Sequence, residues 1–379
     1  MATAKTRRPS SEKGQRGRRA LVVCGMHRSG TSAFTRVFSL LGAELPRGLM
    51  AAAPDNPRGY WESQAIMELN ARILSSARSS WDDPLAIAPD WFGSEEALAF
   101  YEPARALLER ELAVAPLFVL KDPRIARLLP VWLPALEGID VEPTFALALR
   151  NPLEVAESLR RRDGFPAEKS VMLWLRHLLE AERATRLFRR TFVSFDTLID
   201  DWRSVAKQVA RDLELTWPRS CEEVQEEVDA FLSRELRHHS FTPEILEARI
   251  EIVDWVRRAY EAALSRDLEE EERRALLDSI AAELEQADKA LGHLARDLRS
   301  RNCELHSLNR ELHSLNRELH SRNCELHSRN CELHSLNREL HSQVVEQHDA
   351  ISRLQAALSS REKQLKEAEQ LASLRGLEI

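Results

Sequence analysis

Residues 301 to 342 are six near-identical heptads, variants of LNRELHS and RNCELHS. With Leu305 at position a, leucine stands at every a position from Leu277 to Leu340, ten in succession, which restricts this stretch to a long helix with an apolar seam. The seam would be roughly 95 Å long at 1.5 Å per residue. Its d positions are Ile280, Ala287, Leu294, Arg301, Leu308, Leu315, Arg322, Arg329 and Leu336, and the three arginines weaken it. After Leu340 the apolar series shifts to Val344, Ile351, Leu358 and Leu365, a stutter that locally unwinds a supercoil. The pattern predicts a coiled coil and a homo-oligomer, without separating dimer from trimer. The repeats also align His320, Cys324, His327, Cys331 and His334 on one face, but at outward b and f positions that repetition alone fills, and no metal is expected there.

The 379 residues suit one large domain plus an extension. From about residue 265 aromatics vanish and Glu, Arg, Leu, Ser and His dominate, so the division expected is a basic leader over 1–19, a globular domain over 20–265 and a helical region over 266–379. The leader carries Lys5, Arg7, Arg8, Lys13, Arg16, Arg18 and Arg19 against Glu12, and reads as a solvated, disordered tail. A net charge of −7 argues against general nucleic-acid binding. No run approaches the roughly 20 apolar residues of a membrane span, and Ala20 to Cys24 is too short for a signal peptide. Five scattered cysteines fit a reducing compartment, so a cytoplasmic chain is expected.

Inside the globular part, short apolar runs at 20–24, 117–120, 144–149 and 191–195 alternate with helical patterns, the rhythm of a parallel sheet covered on both faces. In such α/β sheets ligands bind beyond the carboxyl ends of the strands. Three of those ends carry cations: Arg28 in the loop GMHRSGTS, Lys121 with Arg124, and Arg150. The loop sits between a strand and a helix, where orphan N–H groups and the helix dipole favour an anion. Gly25 and Gly30 have the spacing of a P-loop, yet Thr31 and Ser32 follow where a nucleotide hydrolase has Lys and Ser or Thr. Asn151 and Pro152 suit the cap and first position of a helix that presents Arg150. A polyanionic ligand at this sheet edge is the reading these residues carry together.

With those residues in place, the chain resembles the sulfotransferases that use 3′-phosphoadenosine 5′-phosphosulfate (PAPS), over roughly residues 20 to 240. Arg28, Ser29, Gly30, Thr31 and Ser32 match that family's phosphosulfate loop, and Arg150, Asn151, Pro152 and Ser158 match the spacing of its 3′-phosphate site. NPRGYWE and LKDPR look like segments of bacterial-type members. The resemblance implies a P-loop-like α/β fold, PAPS as sulfuryl donor, no metal, and transfer to a hydroxyl or amine of a glycan or another cell-surface or secondary-metabolite acceptor.

The chain departs from the small-molecule branch, which has Lys in the loop where Arg28 stands and His where Pro123 stands. Protein-tyrosine and glycan-directed branches, with Glu as base, resemble it better. Glu62, at the end of the long loop PRGLMAAAPDNPRGYWES, is therefore the base expected, with Asp55 and His27 in reserve. Arg28 and Lys121 would supply charge to the transferring group, and Arg28 is expected to hold Glu62 ionised. A P-loop kinase or hydrolase, and a coiled-coil scaffold with an inactive enzyme domain, remain the alternatives.

Overall fold

The computed structural model describes residues 17–53, 56, 58–112, 115–232, 254–374 and 376. Most of the basic leader and Asp55 lie outside the described residues. Four parallel strands, β1 (Arg18–Cys24), β2 (Leu117–Lys121), β3 (Val141–Leu149) and β4 (Arg190–Ser194), form one sheet in the order β2-β1-β3-β4. All four strands stand where the apolar runs predict them. β1 starts two residues earlier than the apolar run, because Arg19 pairs with Leu117 and Glu142 in the ladders and its guanidinium meets the Glu142 carboxylate at 3.0 Å. Arg18 and Arg19 thus belong to the sheet, not to the leader.

Alternation along β1 sets the two faces, since successive side chains of a strand point to opposite sides. Ala20, Val22 and Cys24 join a core with helices α2 (Gln64–Ser76), α4 (Tyr101–Glu111) and α5 (Ile125–Glu137), the short α3 (Glu95–Leu98) lying before α4. Leu21 and Val23 join a second core with α1 (Thr31–Leu40), α8 (Phe195–Asp200), α9 (Trp202–Asp212) and α10 (Gln225–Phe231). A third core forms between α6 (Pro152–Asp163), α7 (Ala167–Thr185), α11 (Asp254–Leu264) and the first turns of α12 (Glu270–Leu374).

That third core moves the expected boundary. Leu277, Ile280 and Leu284 are buried in it, and Arg186 and Arg190 reach Asp278 and Glu270, so the compact unit runs through Gly292 instead of ending near residue 265. The first two a-position leucines therefore belong to the globular core. From His293 α12 forms a second unit, a single helix whose leucines are exposed. Among the described residues no helix is long and apolar enough to cross a membrane.

Candidate active site

The sheet brings β2, β1 and β3 side by side, so the residues following them share one edge. They line a cleft of about 830 Å³, whose walls include Arg28, Thr31, Ser32, Lys121, Arg150, Ser158 and Glu62. Arg124, predicted to join them, lines it too.

The loop after β1 depends on two glycines. A Cβ on Gly25 would lie 2.9 Å from the carbonyl oxygen of Ala148, so only glycine lets the chain pass this close to β3. Gly30 has φ +81°, and a Cβ there would fall 2.1 Å from the Phe195 ring. Arg28 adopts φ 70°, a left-handed conformation that costs a non-glycine residue on the order of 1–3 kcal/mol and concentrates at functional sites. The turn closes when Ser29 N–H donates to the Met26 carbonyl at 3.1 Å, and α1 starts with Gly30 as its cap, leaving its first N–H groups without intrahelical acceptors. Ser29 itself is fully buried, its hydroxyl has no partner among the described residues, and it does not line the cleft. Of the five loop residues assigned to the donor, Ser29 is the one whose side chain points elsewhere.

Arg150, Ser158 and Arg28 are joined by hydrogen bonds. Asn151 caps α6, its side chain accepting from Leu153 N–H at 2.9 Å, and Pro152 occupies the first turn. One turn further on, Glu154 accepts from Arg150 Nε at 2.8 Å, while Arg150 Nη1 donates to the Arg28 carbonyl at 3.1 Å. Arg28 Nε in turn donates to Ser158 Oγ at 2.8 Å. The two motifs, 122 and 130 residues apart in sequence, are therefore bonded to one another. Phe195 completes the group: the Arg150 guanidinium lies 4.7 Å from its ring centroid. Glu154 is legible in sequence as an i, i+4 partner of Arg150; Phe195, the first residue of α8, carries no such signal.

Glu62 meets Lys121, not Arg28. The Lys121 ammonium donates to Glu62 Oε1, to Ser32 Oγ at 3.0 Å and to the Tyr60 carbonyl at 3.1 Å, three acceptors for three N–H bonds. Burial pushes the Glu62 carboxyl above its ordinary range and Lys121 pulls it back, the net being upward. The expectation that Arg28 holds Glu62 ionised is thus corrected: Arg28 is turned toward Ser158 on α6, and the counter-charge comes from the end of β2. The partners of Lys121 also explain why a carboxylate stands at this depth in the fold.

The far side of the cleft is aromatic. His27 lies 4.6 Å from Trp81, centroid to centroid, and Trp81 stacks on Phe165 at 5.6 Å with the Arg162 guanidinium 5.2 Å from its ring. Burial, with Arg124, Arg162, His177 and Lys121 nearby, holds the His27 imidazole well below its ordinary pKa. Its Nε2 is buried with no hydrogen-bond partner among the described residues. Nothing in the sequence marks Trp81, which stands in a polar stretch, SSWDDP, without periodicity. Among the described residues no three His, Cys, Asp or Glu side chains converge to hold a metal ion.

No family model matches this chain, and no curated protein does. Among solved structures it is similar to the sulfotransferase domain from the Synechococcus PCC 7002 olefin synthase, at 14% identity over 72% of this chain and 98% of that one, with a TM-score of 0.33. It is similar to the sulfotransferase domain from the curacin biosynthetic pathway at 14% identity over 70% of this chain and 98% of that one, also with a TM-score of 0.33.

Proposed function

We propose that this chain transfers a sulfuryl group from PAPS to a hydroxyl or amine of an acceptor. The observation that carries the reading is the hydrogen-bonded convergence of Arg28, Ser158 and Arg150 beside the N-terminus of α1, with the Lys121–Glu62 pair lining the same cleft. The residues fit the donor. Arg150, Ser158 and Arg28 form a cationic corner for a terminal phosphate, while the orphan N–H groups of α1 and the hydroxyls of Thr31 and Ser32 suit the phosphosulfate. PAPS supplies an activated sulfuryl group whose leaving group is adenosine 3′,5′-bisphosphate.

The protein's own residues act on charge and on one proton. Arg28 and Lys121 stabilise negative charge that develops as the sulfur–oxygen bond to the leaving phosphate breaks, which is where preorganised donors lower a barrier. Glu62 takes the proton of the attacking hydroxyl or amine; its burial makes the carboxylate a stronger base, and Lys121 opposes part of that rise. Separately, the chain is proposed to self-associate through the leucine stripe of α12.

The test is ligand stabilisation. Adenosine 3′,5′-bisphosphate raises the melting temperature without added metal, since a ligand that binds only the folded state stabilises it by mass action, and ATP with Mg²⁺ does not. The reverse pattern would assign the cleft to a kinase or hydrolase. Sulfur-labelled PAPS incubated with fractionated acceptors then identifies the fraction that gains label.

A further inference from the structure

The described leucines at a and d positions from Leu294 to Leu340 are 49–64% exposed. They form an apolar stripe roughly 70 Å long, a longer continuous exposed apolar face than soluble monomers ordinarily carry. Helices in water owe most of their stability to covering such a face. The self-association proposed above says what covers it; charge and phase along the stripe say how. We infer that α12 pairs with the same helix of a second copy as a two-stranded, parallel, in-register coil.

Strand number follows from the arginines. Arg301 reaches back one turn to Asp297 at 3.0 Å and Arg322 to Glu318 at 3.7 Å, both acids at g positions on the flank of the seam. In a two-stranded pair the stems of Arg301 and Arg322 would lie along the apolar layer while their guanidiniums stay in water beside these carboxylates. Two strands leave that flank wet. A third would close it and gather three guanidiniums into each of three layers.

Orientation follows from the other flanking positions. Every g residue of the six heptads is Glu, from Glu304 to Glu339, and every e residue is Asn, from Asn302 to Asn337. In a parallel pair g faces e of the partner, so carboxylate meets amide and can accept a hydrogen bond. An antiparallel pair sets g against g, Glu against Glu along the whole repeat, and like charges repel.

Register is the weakest element of a repetitive seam, because a slide by one heptad restores every leucine a layer, although it sets arginine against leucine in most of the d layers. The stutter removes that freedom. After Leu340 the apolar series is displaced by four residues to Val344 and then Ile351, and both strands must make the shift at the same level for their seams to keep facing each other. Pairing in register sets Arg301, Arg322 and Arg329 beside their own copies, and their g-position acids offset that cost.

The experiment uses the full chain. Sedimentation at micromolar concentration is expected to give twice the 43.3 kDa chain mass. A single-chain mass would overturn self-association itself, and a three-chain mass would overturn the strand number. Leu305→Cys, with Cys221, Cys303, Cys324 and Cys331 changed to Ser, is then oxidised and the bonded peptides identified. A disulfide needs Cα atoms within roughly 7 Å; a slide by one heptad separates the two positions by roughly 10 Å along the axis, and an antiparallel pairing of the stripe by roughly 35 Å. More than half of the chains joined through residue 305, with Ser307→Cys in the same background unjoined, is the expected result. A two-chain mass without the 305 bond would overturn the parallel, in-register arrangement while leaving the pairing in place.

Discussion

Lys121 at the end of β2 and Glu62 at the end of the long loop form an ion pair in which both side chains are buried, 2% and 5% exposed. Fifty-nine residues separate them. Breaking a buried pair from one side leaves an unpaired charge and typically costs about 3–5 kcal/mol. The pair therefore ties the loop to the sheet as well as setting the state of the carboxylate.

Glu62→Gln keeps the shape and a hydrogen-bond acceptor while removing basicity. Turnover is expected to fall by about 10²- to 10⁴-fold, the usual worth of a positioned base, with adenosine 3′,5′-bisphosphate affinity nearly unchanged by calorimetry. Turnover within threefold of the parent, where chemistry limits the rate, would remove Glu62 from the role and turn attention to His27.

The acid limb of kcat is expected above the ordinary carboxylate range, because burial raises the Glu62 pKa and the base must be ionised to act. Lys121→Met removes the opposing charge, so the limb moves to higher pH still, and stability falls by about 3 kcal/mol or more as the carboxyl loses its partner. A limb that stays in place while stability drops would show that Lys121 supports structure alone.

Gly30→Ala is expected to abolish bisphosphate binding, since the new Cβ meets the Phe195 ring and φ +81° is a left-handed conformation that alanine rarely adopts. Adding Phe195→Ala removes the clash and leaves the strain, so the double variant should recover folding more than affinity. Calorimetry on both, beside their melting temperatures, separates the two effects.

His177 is buried on α7, its Nδ1 2.7 Å from the Leu173 carbonyl, and its pKa is lowered from 6.5 to about 3 by burial and by Arg127. Above pH 6.5 the folded and unfolded chains both hold it neutral. As pH falls below that, the unfolded chain binds the proton and the folded one does not, so stability is lost progressively down to the folded pKa, on the order of 4 kcal/mol in total. Between pH 6.5 and 5, above the titration of ordinary carboxylates, His177→Gln should flatten the fall in melting temperature. His27 acts in the same direction and leaves part of the slope.

Truncation after Gly292 is expected to leave a monomer with the parent's melting temperature and bisphosphate affinity. Truncation after Ser265 removes Leu277, Ile280 and Leu284 from the third core, each at most 2% exposed, which costs roughly 5 kcal/mol or more. Light scattering and thermal melts on the two forms distinguish them.

Sequence alone determined what depends on local order. The apolar runs placed all four strands because a buried parallel strand must be apolar on both faces, and Asn151-Pro152 placed the start of α6 because those two residues fit a helix's cap and first turn. That the loop residues and Arg150 follow strand ends was legible for the same reason, and the order of the strands then puts them beside one cleft. Tertiary structure decided what depends on distant partners. Nothing near Glu62 in the chain says that Lys121, and not Arg28, is its counter-charge; that follows from β2 lying beside β1. Nor does the heptad pattern say where the globular core ends, since Leu277 and Leu284 obey the same period as Leu305 and Leu340. Periodicity specifies a face of a helix, and only the packing around that face, α7 and α11 for the first turns of α12, decides what covers it.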